Sequence, residues 1–265
     1  MHYLDEGSGE PLLMVHGNPT WSFYWRNLVL GFRDQWRTVV PDHVGCGLSD
    51  KPQRYPYTLS QHIENLSGLI QQLDLREITL LVHDWGGAIG LGTALQMPER
   101  FKRFVLFNTG AFPPPFIPWR IRACRIPICG ALAVRGCNLF ARAALTMATE
   151  KPERMTDEVR AGLIAPYDSW NNRVAIQRFV EDIPTSSSQP TWQRLSEIEL
   201  QLPTLANRPV KMIWGMRDWC FTPECLIRLQ RSLPHAKVHR FEDAGHYVVE
   251  DAHEQIVPIV TDFLK

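Results

Sequence analysis

Short apolar runs alternate along the chain with longer stretches in which apolar positions recur every three or four residues. The runs MHYLD, LLMVHG, TVVPD, ITLLVHD and FKRFVLFN come first, and VKMIWG and KVHRFED follow after a long gap. Between them lie WSFYWRNLVLGFRDQ, SQHIENLSGLIQQLDL and AIGLGTALQMP, and the chain closes on EQIVPIVTDFLK. Short continuous apolar runs signify strands buried on both faces. Their alternation with helical patterns predicts an α/β fold, a mostly parallel, doubly wound sheet flanked by helices.

The alternation breaks between positions 111 and 208. This stretch enters on FPPPFIPWRIR, carries helical patterns such as AVRGCNLFARAAL and NNRVAIQRFVEDIP, and has one turn-forming piece, PTSSSQP, from Pro184 to Pro190. Its length rules out a loop in a compact domain. The expected organisation is a core domain at 1–110 and 209–265 with a helical cap domain at 111–208. At 265 residues the chain is long for one ordinary domain and short for two, which fits an inserted cap. Clefts at such junctions are favoured substrate sites.

Apolar residues make up 45% of the chain, enough for a large core, and 28 basic residues balance 28 acidic ones. That balance argues against nucleic acid or an acidic membrane as the main partner. No basic segment followed by an apolar one opens the chain and no run is long enough to span a bilayer, so the expectation is a cytoplasmic protein. The cysteines, Cys46, Cys124, Cys129, Cys137, Cys220 and Cys225, form no CxxC pair and no zinc-type cluster, so they read as buried free thiols. No metal or cofactor is called for.

Ligands of open α/β sheets bind beyond the carboxyl ends of the strands. Four ends here are unusual: His16, Gly17, Asn18 and Pro19 after LLMV, Asp84 and Trp85 after LLVH, Asp218 after KMIWGMR, and His246 after the last run. Asp84 alone reads as a helix N-cap. A strand turning into a helix with small residues just past its tip is also the nucleophile-elbow layout, normally Gly-x-Ser-x-Gly, and its partners follow in the order nucleophile, acid, histidine. Asp84, Asp218 and His246 meet that order. A carboxylate is ionised at neutral pH and displaces a leaving group at saturated carbon directly, forming an enzyme ester. Hydrolysis of the ester would use His246 as general base, oriented by the acid Asp218, with the Asn18 and Trp85 backbone N–H groups as oxyanion hole. Asp243 is nearer to His246 in sequence and reads as a loop carboxylate. The Trp85 indole and the Asn18 amide are donors suited to a departing halide.

With these residues in place, the sequence resembles the haloalkane dehalogenases of the α/β-hydrolase superfamily. The matching segments, in family order, are HGNPTWSFYWRNL, VPDHVGCGLSDKP, VHDWGG, WGMRDWCF and FEDAGHYVVED. The resemblance covers nearly the whole chain, and the combination of Asn18 with Asp84-Trp85 is its specific part. It implies an α/β-hydrolase fold with nucleophile Asp84, base His246, acid Asp218 and halide-binding Asn18 and Trp85. Its partners would be a small apolar halogenated substrate, water and halide, and a homo-oligomer is admissible. The pattern is that of the third subfamily, which is very similar to the β-lactone decarboxylases of long-chain olefin biosynthesis; IAPYDSWNNRVAIQRFVEDIP and FEDAGHYVVED resemble both. Carbon–halogen hydrolysis is the first expectation and lactone decarboxylation the alternative. Epoxide hydrolases share HDWGG but resemble a pattern with an aromatic residue at the place of Asn18 and two cap tyrosines, where this cap has Tyr167 alone. Fluoroacetate dehalogenases resemble Asp-Arg at the elbow, against Trp85. A non-catalytic binding protein is disfavoured by the intact Asp84, Asp218 and His246 set. Relatives usually carry one more strand before MHYLDEG, whose absence would expose a different sheet edge.

Overall fold

Seven strands form one sheet: β1 (Tyr3–Glu6), β2 (Pro11–Val15), β3 (Arg37–Pro41), β4 (Ile78–Asp84), β5 (Phe101–Thr109), β6 (Val210–Gly215) and β7 (Lys237–Phe241). The structure is a computed structural model describing residues 1–265. Across the sheet the order is β1-β3-β2-β4-β5-β6-β7, with β1 antiparallel to β3 and every other pairing parallel. β2 and β4 are buried at every residue, so their runs show no polar alternation, whereas the edge strand β7 is exposed at both Lys237 and Arg240.

Side-chain alternation divides the core into two layers. Leu13, Val15, Leu80, Val82, Leu106 and Met212 face one side of the sheet, and Leu12, Met14, Leu81, Val105, Phe107 and Ile213 face the other. The first side is covered by α2 (Leu59–Gln72) and α3 (Trp85–Gln96), the second by α1 (Arg26–Phe32) and by the last helix of the chain. A one-residue slip of any strand would exchange its two sets of side chains.

Between β5 and β6 the chain is helical and contributes no strand: α4 (Trp119–Ala123), α5 (Cys129–Ala131) running into a π-helical turn, α6 (Leu139–Met147), α7 (Asp157–Ile164), α8 (Val174–Asp182) and α9 (Pro190–Gln201). α9 lies against α2 and α3 through Leu195 and Ile198, in the same cluster as Ile63. α10 (Pro223–Ser232) follows β6, and α11 (Val248–Leu264) closes the chain with a break in helical geometry at Ala252. α11 starts well before the EQIVPIV pattern that announces it, because Val248, Val249 and Ala252 are buried against the sheet. None of the six cysteines is paired, but only Cys46 and Cys225 are buried; Cys129 and Cys137 are exposed on the helical insertion, which corrects the expectation of burial. No helix is long and apolar enough to cross a membrane.

Candidate active site

Asp84 is the last residue of β4 and its backbone has φ 53° and ψ −129°, outside the ordinary regions for a residue with a Cβ. That conformation reverses the chain in a single residue, so α3 begins at Trp85 and the carboxylate stands at the strand tip. The side chain makes no capping bond to α3, so the N-cap reading does not describe it. The turn is possible because Gly86 has no side chain: a Cβ there would lie 2.1 Å from the Val15 carbonyl oxygen. Gly17 faces the carboxylate itself, and a Cβ at that position would lie 2.0 Å from Asp84 Oδ1.

The Asn18 backbone N–H donates to Asp84 Oδ1 at 2.7 Å. Asp84 Oδ2 stands 3.7 Å from His246 Nε2. The imidazole Nδ1 is 2.8 Å from Asp218 Oδ2, and Asp218 Oδ1 accepts the Cys220 N–H at 2.6 Å. Asp84, Asp218 and His246 are therefore brought together as one hydrogen-bonded and electrostatic unit. Asp243 is exposed and pairs with Lys151 at 2.8 Å, so it takes no part in the unit.

Burial pushes the Asp84 carboxyl up from its ordinary value, against the opposing pull of the His246 charge and of the neighbouring Trp85 and Asn18 backbone N–H groups. Burial would by itself depress the His246 imidazolium. The charge and hydrogen bond of Asp218, with the charge of Asp84, outweigh it, and the pKa lies above the usual histidine value.

Two contributors are absent from the strand-end reading. Asn108, near the end of β5, donates from Nδ2 to Asp218 Oδ2 at 3.0 Å and to the Gly215 carbonyl at 3.0 Å, while its Oδ1 accepts the Gly215 N–H at 2.8 Å. It fixes the carboxylate that fixes the imidazole. His83 bonds through Nε2 to the His246 carbonyl at 2.8 Å and holds the backbone of that loop. FNTG at the end of an apolar run is the only sequence signal for Asn108, and His83 has none beyond its neighbour Asp84.

The insertion roofs the unit. A cavity of about 480 Å³ is lined by Asn18, Asp84, Trp85 and His246 together with mainly apolar side chains, Phe116, Leu139, Phe140 and Ile183 among them. The Asn18 side-chain amide donates to the Ile176 carbonyl of α8 at 3.2 Å, while its Oδ1 is buried without a partner. Tyr167 is buried and its hydroxyl donates to the Thr20 carbonyl at 3.2 Å, so it is not available to a substrate in this cavity. No three or more His, Cys, Asp or Glu side chains converge as metal ligands would.

Residues 10–122 and 167–252 match the family of the α/β-hydrolase fold. The chain belongs to the α/β-hydrolase family. The stretch between the two matched blocks is the part of the insertion that carries α5, α6 and α7. The chain is 44% identical to a cis-3-alkyl-4-alkyloxetan-2-one decarboxylase of Shewanella oneidensis, over 100% of this chain and 85% of that protein. It is 30% identical to haloalkane dehalogenase 2 of Mycobacterium tuberculosis, over 99% of this chain and 90% of that one. Its fold superposes on the crystal structure of the haloalkane dehalogenase DatA of Agrobacterium tumefaciens with a TM-score of 0.89 at 25% identity, covering 99% of this chain and 91% of the other.

Proposed function

We propose that this α/β-hydrolase family enzyme decarboxylates β-lactones bearing two alkyl chains, releasing carbon dioxide and a cis-alkene. The observation that carries the choice is the step from 30% identity with a dehalogenase to 44% identity, along the whole chain, with a protein named for a dialkyl β-lactone. Motifs alone put carbon–halogen hydrolysis first; whole-chain identity favours the reverse order. The apolar lining of the cavity, with its polar atoms gathered around Asp84, suits a molecule with one polar ring and two hydrocarbon arms.

In this reading Asp84 Oδ1 is held by the Asn18 backbone N–H, which leaves Oδ2 to attack ring carbon 4 of the lactone. The new bond is an alkyl ester. The ring C4–O bond breaks and its electron pair stays on oxygen, so the former ring carbonyl becomes a free carboxylate on carbon 3. The Trp85 indole N–H and the second amide hydrogen of Asn18 are donors for that charge. The carboxylate then leaves as carbon dioxide, the electron pair of its C–C bond becomes the alkene, and Asp84 departs as carboxylate. Attack inverts carbon 4 and antiperiplanar loss follows, so the two arms remain on one side and the alkene is cis. Neither water nor a net proton is consumed. His246 faces the departing Asp84 oxygen from 3.7 Å, and Asp218 holds its tautomer.

The test is a pair of assays on the purified protein: alkene from a long-chain cis-β-lactone by gas chromatography, and bromide from a panel of bromoalkanes. Alkene at useful rates with trace bromide is expected. Turnover in ¹⁸O-labelled water should leave Asp84 unlabelled with the lactone, because no water attacks the ester. Rapid bromide release without alkene would overturn the assignment.

The Asn18 and Trp85 donors beside Asp84 favour the second reading, haloalkane hydrolysis. There the same ester forms with loss of halide, and water activated by His246 attacks the carbonyl whose oxygen is Oδ1. His246→Ala should then accumulate the alkyl-enzyme, visible as a mass increase after mixing with a bromoalkane, and an unmodified mass would count against this route.

A further inference from the structure

The whole-chain charge balance conceals a local imbalance. From Phe112 to Thr149 the chain carries Arg120, Arg122, Arg125, Arg135 and Arg142 and no Asp or Glu. The same segment holds six of the large apolar side chains left exposed: Phe116, Trp119, Ile126, Ile128, Leu132 and Leu139. Trp119 is 73% exposed and Ile128 76%, values foreign to a core. Phe116, Trp119 and Leu139 also line the cavity, so the exposed apolar surface is continuous with its mouth. Arg120, which lines the cavity, and Arg122 and Arg142 are exposed on the same segment. Arg125 is turned inward, donating to the Val180 and Ile183 carbonyls, and Arg135 bonds the Trp170 carbonyl. Of the acids that approach the segment, Glu181 and Asp182 face these two inward arginines, and Asp251 accepts the Thr149 hydroxyl at the segment's end.

We infer that this face docks the protein on an anionic lipid bilayer, with the cavity mouth against the hydrocarbon boundary. An exposed Trp and aliphatic side chains interspersed along one segment with arginine and no acid have the composition of an interfacial segment, which lies on a bilayer and does not cross it. A second copy of the chain fits poorly: two such faces in a symmetric pair would juxtapose arginines with no acid on either side. The docking rests on this surface alone. Its use, passage of a lipophilic lactone into the cavity and of alkene out without crossing water, rests on the decarboxylase reading.

Flotation of the purified full chain with phosphatidylcholine vesicles and with vesicles containing one part in three phosphatidylglycerol separates the outcomes. Binding is expected to the anionic vesicles and to weaken with added salt. Arg122→Glu with Arg142→Glu should reduce it roughly tenfold or more. Ile126→Ser, Ile128→Ser and Leu132→Ser together should abolish it, and none of these five residues lines the cavity, so alkene formation from a lactone dispersed in detergent should persist. Absence of flotation, equal flotation with neutral vesicles, or binding unmoved by both variants would overturn the inference. So would a concentration-dependent dimer in sedimentation that the serine variant dissolves, since the face would then belong to a second copy. Alkene formation without flotation would discard the docking and keep the enzyme assignment; flotation without alkene would do the opposite.

Discussion

Asp84 holds a backbone conformation that costs a side-chain-bearing residue about 1–3 kcal/mol, and the surrounding contacts maintain it. Its neighbours have so little freedom that Gly86→Ala, with the added carbon 2.1 Å from the Val15 carbonyl, should cost about 1–3 kcal/mol and displace the carboxylate. Loss of activity larger than the loss of stability is expected, read from kcat against the denaturation midpoint. Asp84→Asn should lower turnover by more than about 10³-fold with the fold intact. Asp218 and Asp243 offer a sharper contrast. Asp218 accepts from Asn108 and Cys220 and meets His246 at 2.8 Å, whereas Asp243 pairs with Lys151 at the surface. Asp218→Asn should cost about 10²–10⁴-fold in kcat and Asp243→Asn less than about twofold. Equal effects would mean that the histidine takes its orientation from elsewhere.

The seven strands are legible because each is a short apolar run and all but the two edge strands are mostly buried; the strand-end residues follow from them, since a chain that must turn at a parallel strand's tip displays what lies there. α10 is not among the helical patterns that stand out, because only Cys225, Leu226 and Leu229 of its residues are buried. Asn108 and His83 escape for a different reason: their partners are 110 and 163 residues away, and no local pattern encodes such a contact. The same holds for Asp182, at the end of α8, whose carboxylate accepts the Leu59 N–H at the start of α2 and the Thr191 hydroxyl at the start of α9. It ties an inserted helix to two others. Burial raises its pKa to about 6 in spite of those donors. The folded state therefore retains a proton that the unfolded chain releases near pH ~3.9, and stability from this group declines as pH rises from there to about 6. Asp182→Asn should remove that decline, seen as a urea midpoint at pH 7 equal to or above that of the parent protein; a clearly lower midpoint would mean the ionised carboxylate is the better tie.

Four buried histidines act in the opposite direction from Asp182, and the sum decides how the molecule responds to acid. His16 is depressed to about 4 by burial, and burial sets His43, His62 and His83 well below the ordinary value. For each, the unfolded chain takes up a proton near pH ~6.5 that the folded state refuses, so stability is complete above that pH and is lost as pH falls toward the folded value. His16 alone corresponds to about 3 kcal/mol lost by pH ~4, close to the magnitude from Asp182 with the reverse sign. The raised Asp84 carboxyl acts with Asp182, and His43, His62 and His83, three further depressed imidazoles, outweigh it and tip the balance. His246, raised by its carboxylates, contributes stability that is lost only as pH rises above ~6.5, so it does not compete in the acid range. The urea midpoint should climb from pH 4 to about 6.5 and level off or decline slightly above it. His62 provides the internal check: it stacks on Phe179 with ring centroids 4.5 Å apart, and both its ring nitrogens are buried without partners. His62→Phe keeps the stacking and removes one proton-refusing site together with an unpaired donor, so it should make the acid slope shallower and raise the midpoint at pH 5. An unchanged slope in that variant would show that His62 finds a proton acceptor or water in solution, and a flat profile in the parent protein would refute the balance drawn from the four histidines.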